Sequence, residues 1–273
     1  MKRSFKCNGR WALITGAASG IGRALAKQLA ADGCHLVLVD KNQAGLETLQ
    51  SSCQQTYQVQ VQILAIDLSV PDAFKSVISH YQEIPISILI NNVGFTTVGL
   101  FQNNSWQRLD SMINLNIRLL TQSCQLMLPQ LLSHPQGACI LNVGSITGYQ
   151  GVPNMSVYAG TKAFVNQFSE GLAWELQDTL VTVTCVEPGM TETSFFSAAG
   201  VNFKPRISVL GVSNCDDIAK QAITAMIQRR AKVIPGWINK CLMFSAKLMP
   251  RYIIKSTMKW LFADLKTVNQ KNT

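Results

Sequence analysis

Short apolar runs recur along this chain, separated by helix-length amphipathic segments, and that alternation restricts the fold more than any other feature. Trp11 to Thr15, His35 to Val39, Val61 to Ile66, Ile86 to Ile90, Ala138 to Val143 and Val181 to Val186 read as strands. Between them Ile21 to Ala31, Ala44 to Thr56 and Val157 to Leu176 have helical character, Pro71 to Glu83 reads as a helix opened by its proline, and Ser105 to Leu132 carries one long apolar stripe. Strands rich in Val, Ile and Leu and recurring between helices imply a parallel sheet buried on both faces. The expected fold is α/β, doubly wound, with helices on both sides of one sheet. No internal repeat, low-complexity stretch or linker breaks the pattern, so residues 1–273 are read as a single domain.

After Pro188 the pattern weakens. Phe195 to Leu210 is a long irregular insert, and 195–214 is taken as a substrate loop because such loops sit at the carboxyl edge of a parallel sheet. Asp216 to Arg230 then reads as a helix and Val233-Ile234 as a short strand. Residues 237–265 mix large apolar residues with Lys240, Lys247, Arg251, Lys255 and Lys259 and are split by Pro250, which predicts two amphipathic basic helices. From Val201 onward thirteen Lys or Arg face only Asp216, Asp217 and Asp264, so the net charge of +9 belongs to this end of the chain. Such a tail fits either packing or subunit contact, or a peripheral contact with an anionic membrane. Nothing accompanying the charge supports nucleic-acid binding.

With 47% hydrophobic and 14% charged residues, the chain excludes a disordered regulator. The basic start is interrupted at Cys7-Asn8-Gly9-Arg10 before an export signal could form, and no run reaches the roughly 18 apolar residues of a membrane span. The eight cysteines form no CxxC pair or Cys/His cluster. Reduced thiols, no metal site and a cytoplasmic location, with possible peripheral membrane contact, are the expectation.

The turn between the first strand and the first helix holds Gly16, Ser19, Gly20, Ile21 and Gly22. Glycines there let backbone approach a pyrophosphate, and the helix N-terminus favours its charge. The absence of Gly-Lys-Ser/Thr argues against an NTPase phosphate loop. Asp40 ends the second strand 18 residues after Gly22, placed to accept hydrogen bonds from the adenosine ribose hydroxyls and to repel a 2′-phosphate. It could equally cap the next helix, and Lys41 beside it would soften the repulsion. Asp67 and Leu68 follow the third strand, where Asp67 either reaches an adenine or caps a helix.

Tyr158 and Lys162 stand four residues apart and so share a helix face. A free tyrosine, with pKa near ~10, is a poor base at neutral pH. A neighbouring ammonium and a cationic nicotinamide both favour phenolate and are expected to lower that value. Ser145 lies 13 residues upstream at a strand end, within reach of the same substrate oxygen.

Taken together, Thr15 to Gly22, Asn91-Asn92-Val93-Gly94, Asn116, Ser145, Tyr158 with Lys162, and Pro188-Gly189-Met190-Thr191-Glu192-Thr193 resemble the short-chain dehydrogenase/reductase family of the classical type, from about Gly9 to Ile234. The run Thr161 to Glu170 is similar to the branch holding long-chain 3-ketoacyl reductases and hydroxysteroid dehydrogenases. Val93, Gly144 and Gly160 depart from the common pattern without removing a reacting group.

The resemblance implies a Rossmann domain and an NAD(P)(H)-dependent oxidoreductase interconverting a secondary alcohol and a ketone. It makes Tyr158 the general acid/base, Ser145 the orienting hydroxyl, Lys162 the partner of the nicotinamide ribose, and Asn116 the holder of a proton-relaying water. Gly16, Ser19, Gly20, Ile21, Gly22, Asp40, Asp67, Leu68, Asn92, Gly94, Pro188, Gly189, Thr191 and Thr193 would hold the cofactor, with Asn91 tying the central strands. NAD(H) is favoured through Asp40, and NADP(H) stays open. A homodimer or homotetramer is expected. The apolar residues of the substrate loop favour a bulky hydrophobic substrate. A non-catalytic dinucleotide-sensing or scaffold protein of the same fold is the alternative, which the intact Ser145, Tyr158 and Lys162 disfavour.

Overall fold

The strands predicted from apolar runs assemble into one sheet of seven, in the order β3-β2-β1-β4-β5-β6-β7. The computed structural model describes residues 5–191 and 213–261. The insert Phe195 to Leu210, Thr193 and the tail beyond residue 261 lie outside the described residues. The strands are β1 (Trp11–Thr15), β2 (His35–Asp40), β3 (Val61–Ala65), β4 (Ile86–Asn91), β5 (Ala138–Val143), β6 (Val181–Val186) and β7 (Lys232–Val233), and every pairing is parallel.

Helices cover both faces, as a parallel sheet requires. On one side α1 (Gly20–Ala31), α2 (Gln43–Tyr57) and α7 (Cys215–Ile227) pack Leu25, Leu46 and Ile218 over Ile14, Leu36, Leu38 and Ile90. On the other, α3 (Ala73–His80), α5 (Leu119–Ser133) and α6 (Ser156–Glu175) pack Phe74, Met127 and Leu172 over Leu13, Val37, Leu89 and Ile140. Alternate strand residues therefore serve opposite layers, and β4 and β5 are buried at every position.

Three expectations shift in detail. The helix expected from Pro71 begins at Ala73, because Asp72 takes a left-handed conformation (φ 62°) that helix cannot continue through. The long stripe from Ser105 to Leu132 is two helices, α4 (Trp106–Ile113) and α5, joined by a π-turn at Asn114–Arg118. β7 starts one residue earlier than expected, since Cys185 and Val186 pair with Lys232 and Val233.

The tail forms α8 (Trp237–Leu248) and α9 (Arg251–Leu261), broken at Pro250 as its sequence predicts. Among the described residues no helix is long and apolar enough to cross a membrane.

Asn91, at the end of β4, joins the central strands as expected. Its Nδ2 donates to Asn142 Oδ1 of β5 at 2.9 Å, and its Oδ1 accepts from Ser123 Oγ of α5 at 2.6 Å. Asn142 in turn donates to Ser169 Oγ of α6 at 3.0 Å. All four groups are buried, so removing one strands the others without water. Asn91→Ala should lower stability by about 2–4 kcal/mol. Urea unfolding checks this: the midpoint falls at unchanged m-value, and an unmoved midpoint refutes it.

Candidate active site

A cavity of about 640 Å³ opens along the carboxyl ends of the strands. The strand order reverses between β1 and β4, and the glycine turn that follows β1 forms one end of the cavity. Gly16 (φ 66°) and Gly20 (φ 53°) adopt conformations that favour glycine. A Cβ on Gly16 would lie 2.9 Å from both Asn92 Nδ2 and the Val93 Cα. Asn92 explains that crowding: its Nδ2 donates to the carbonyls of Thr15 (3.0 Å) and Gly16 (2.9 Å).

Gly16, Ser19, Gly20 and Ile21 line the cavity, with Asp40, Asp67, Leu68, Asn92 and Gly94 continuing its wall. Gly22 does not line it; a Cβ there would collide with Gly16 O and Asn92 Nδ2, so this glycine serves close packing of the turn.

Asp40 is not a helix cap. Asn42 caps α2 by accepting from Gly45 N at 3.1 Å, while Asp40 accepts from Ala18 N and Asn42 N, both at 3.0 Å. Each carboxylate oxygen keeps accepting capacity toward the cavity. Asp67 accepts from Ser69 N at 2.9 Å, and its hydrogen bonds with Ser69 hold its carboxyl below its ordinary value.

At the other end Ser145, Tyr158 and Lys162 meet, each no more than 7% exposed. Asn166, one turn beyond Lys162 on α6, donates to Ser145 O (2.9 Å) and accepts from Ser145 N (3.3 Å). That position is why residue 144 is glycine: a Cβ would run into Asn166 Oδ1 and lie 2.9 Å from Cys185 Sγ. Ser145 Oγ accepts from Thr147 N (3.1 Å) and Thr147 Oγ1 (2.9 Å) and donates to Pro188 O at 3.3 Å. Lys162 Nζ donates to Val143 O at 2.7 Å and stands 5.9 Å from the Tyr158 ring centre.

Of the two charges expected to lower the Tyr158 pKa, the Lys162 ammonium and a cationic nicotinamide, the ammonium does not do so. Burial pushes the phenol above its ordinary value, and a hydrogen bond with Ser145 pulls only partly back. Burial also pushes the Lys162 ammonium down to about 8. A low-dielectric pocket disfavours both charged forms, and at this separation the attraction between them does not compensate.

Pro188, Gly189 and Thr191 line the same cavity. Thr191 forms a parallel bridge with Ser213. Thr193 lies outside the described residues. Asn116 does not line the cavity: its amide donates to Phe95 O and Thr161 Oγ1, both at 3.1 Å, and accepts from Phe95 N at 3.2 Å. The π-turn is what points it there.

Sequence reasoning missed Asn166, although a polar residue one turn past Lys162 on the buried face of a helix was a readable sign. It also missed Asn239 and Leu242 of α8, which line the cavity and which nothing local in the tail distinguishes.

Residues 10–202 match the family model described as short chain dehydrogenase. The chain belongs to the short-chain dehydrogenase family. This short-chain dehydrogenase is 30% identical over 256 residues to very-long-chain 3-oxoacyl-CoA reductase-B of Danio rerio, over 90% of this chain and 79% of that one.

Among solved structures, a short-chain dehydrogenase from Sphingobium yanoikuyae in complex with NADPH aligns with a TM-score of 0.78 at 30% identity, covering 88% of this chain and 94% of that chain. The bulky-bulky ketone specific alcohol dehydrogenase from Comamonas testosteroni aligns with a TM-score of 0.75 at 27% identity, covering 88% and 93%. The protein is therefore an NAD(P)-dependent oxidoreductase acting on an alcohol or ketone.

Proposed function

We propose that Ser145, Tyr158 and Lys162 carry out the proton chemistry of a reversible secondary alcohol–ketone interconversion on a bulky hydrophobic substrate. The observation that carries this reading is their convergence with the glycine turn on one cavity. Gly16, Gly20 and the start of α1 would hold the pyrophosphate of NAD(H), Asp40 its adenosine ribose, and Lys162 its nicotinamide ribose. Gly94 lines the same cavity, and its lack of a Cβ makes room for Asn116, whose Oδ1 would lie 2.8 Å from one. When bound, the nicotinamide supplies or accepts the hydride. Tyr158 gives its phenolic proton to the forming alkoxide, or takes it back in oxidation, while Ser145 Oγ orients the oxygen. Asn116 braces Phe95 and Thr161 beside them; a water-holding role would use its remaining acceptor capacity.

Hydrophobic specificity is supported by Phe95, Leu115, Met155 and Leu242 in the cavity wall. Behind them Met258 of α9 packs on the cluster of Leu109, Met112, Val152 and Tyr158. The names of the relatives suggest the substrates to try: 3-oxoacyl thioesters and ketones with two bulky substituents.

We also propose that the outer sides of α8 and α9 make reversible contact with anionic lipid. Lys240, Lys255 and Lys259 are exposed there, together with Trp237 (73%) and Tyr252 (70%), and residues 218–263 contain no acidic residue. Two copies meeting face to face here would repel each other, so the expected homodimer or homotetramer would form through another surface.

Three outcomes follow from these readings. Tyr158→Phe should lower kcat by at least about 100-fold with coenzyme affinity within a few fold, because only the proton-transfer oxygen is lost. A coenzyme-coupled assay checks it, and more than a tenth of the wild-type rate removes Tyr158 from the role. Titration of both coenzymes should give tighter NAD(H) than NADP(H) binding, and Asp40→Ala should narrow the ratio by about tenfold or more, the equivalent of ~1.4 kcal/mol of repulsion. Tighter NADP(H) binding by the wild type contradicts the assignment. Finally, the chain should sediment with anionic liposomes at low salt and release as the Debye length shortens, each cation near the surface adding up to ~1 kcal/mol. Changing Lys240, Lys247, Lys255 and Lys259 together to Gln should abolish sedimentation with oligomeric state unchanged, and a wild type that does not sediment refutes the contact.

A further inference from the structure

The end of β6 hides a carboxylate that this chemistry does not use. Glu187 is 0% exposed and directly precedes Pro188. Its Oε2 accepts a 2.6 Å hydrogen bond from Tyr149 Oη, and its Oε1 lies 3.5 Å from Lys232 Nζ at the start of β7. Lys232 Nζ also donates to Tyr149 Oη at 2.7 Å, closing a three-membered ring of contacts. Among the described residues Oε1 has no hydrogen-bond donor, so the Lys232 charge is its compensation.

An ion pair with one member buried is a poor stabiliser, because desolvation of the carboxylate offsets much of the attraction. Its position suggests another use. Tyr149 closes the 3-10 turn Ile146–Tyr149, which starts from Ser145, and Glu187 leads into Pro188 and Gly189 in the cavity wall. The two segments meet again where Ile146 N donates to Pro188 O at 3.1 Å and Ser145 Oγ to the same oxygen at 3.3 Å. The opposite side of the turn lies flush on α6: a Cβ on Gly148 would be 2.7 Å from both the carbonyl carbon and oxygen of Lys162.

We propose that Tyr149, Glu187 and Lys232 form a positioning clamp that fixes the turn after Ser145 against both Pro188 and the Lys162 turn of α6, and that full turnover requires the clamp in its ionised form. The inference rests on Ser145, Tyr158 and Lys162 being the reacting groups. Protonation of Glu187 is the event that opens the clamp. Burial raises its carboxyl above the ordinary value, opposed by the Tyr149 hydrogen bond and by Lys232, while Glu170 of α6 adds to the rise. Burial works against the Lys232 charge, but Tyr149, Glu187 and Glu170 hold its pKa above the ordinary value. The Tyr149 phenol and the neighbouring Cys185 thiol, each pushed up to about 12 chiefly by burial, stay neutral across the working range. As pH falls through the raised Glu187 value, the ion pair is lost and turnover falls with it.

The test uses the full chain with NADH and benzil as the bulky ketone. Tyr149→Phe, which keeps the ring, and Lys232→Met, at a side chain 37% exposed, should each lower kcat about tenfold with KM and coenzyme affinity within about threefold. Glu187→Gln should also erase the acid limb of the wild-type kcat profile, which a merely structural loss would leave in place. Amide exchange across residues 145–150 gives a readout that needs no turnover, and it should quicken about tenfold in Tyr149→Phe. Folded Tyr149→Phe and Lys232→Met variants with wild-type kcat and an unmoved acid limb overturn the clamp. If benzil is not turned over, unchanged exchange across 145–150 overturns it instead. Tyr158→Phe separates the two readings: normal turnover there refutes the reacting groups, whereas its loss beside unaffected clamp variants refutes the clamp alone.

Discussion

The side-chain amide of Asn92 is the tie on which the cofactor end of the site depends. Where strand order reverses, the chains leaving β1 and β4 turn away in opposite directions, which opens a crevice but leaves loop carbonyls without ladder partners. Asn92 answers two of them at once, donating to Thr15 O and Gly16 O, while its own backbone N–H donates to Thr15 Oγ1 at 3.1 Å. The glycine turn is thereby drawn against β4, and this contact leaves no room for a Cβ at Gly16 or Gly22. Those two glycines answer to the packing of protein on protein as much as to any phosphate.

The same device recurs across the site. A buried amide presents a donor and an acceptor in fixed geometry, so one asparagine can join two segments that share no ladder. Asn166 brackets the peptide groups of Ser145 from α6, Asn116 brackets Phe95 and reaches Thr161, and Asn91 with Asn142 crosses from β4 to β5 and onward to Ser169. Such networks hold one arrangement well because each alternative leaves a polar group unpaired away from water. Ser145, Tyr158 and Lys162 are thus seated at a strand end and on a helix that amides cross-link, which is the rigidity that positioned chemistry needs.

Much of this was legible in the sequence, and the limits have physical causes. Strand identity and order of elements followed from apolar runs, since a strand buried on both faces admits few polar residues. The convergence of Gly16, Asp40, Ser145, Tyr158 and Lys162 on one edge followed from their places at strand ends and on one helix face. The π-turn at Asn114–Arg118 was not legible: a single extra residue in a helix leaves the apolar stripe intact while rotating Asn116 toward Phe95. Nor was the pairing of Glu187 with Tyr149 and Lys232, whose members are 38 and 45 residues or more apart along the chain and meet only through sheet register. The part expected of Lys162 in lowering the Tyr158 pKa was misjudged, because four-residue spacing places Lys162 on the same face without fixing how far the ammonium stands from the phenol or how dry the space around it is.

That dryness bears on when the proposed acid/base can work. Tyr158 is held neutral by burial, and Lys162, with its pKa drawn down to about 8, retains its charge at neutral pH while directing the ammonium at Val143 O. In so poorly screened a pocket, a positive charge brought beside the phenol acts far more strongly than it would in water. Tyr158 would therefore gain its phenolate character chiefly when an oxidised nicotinamide is bound, and lose it when the ring is neutral. Proton transfer would then be coupled to coenzyme state through the dielectric of the site itself, which requires the surrounding segments to stay closed to water: the Ser145 turn, the Pro188 segment and α6. The contacts that hold those three together would thereby serve the proposed acid/base chemistry without exchanging the proton themselves.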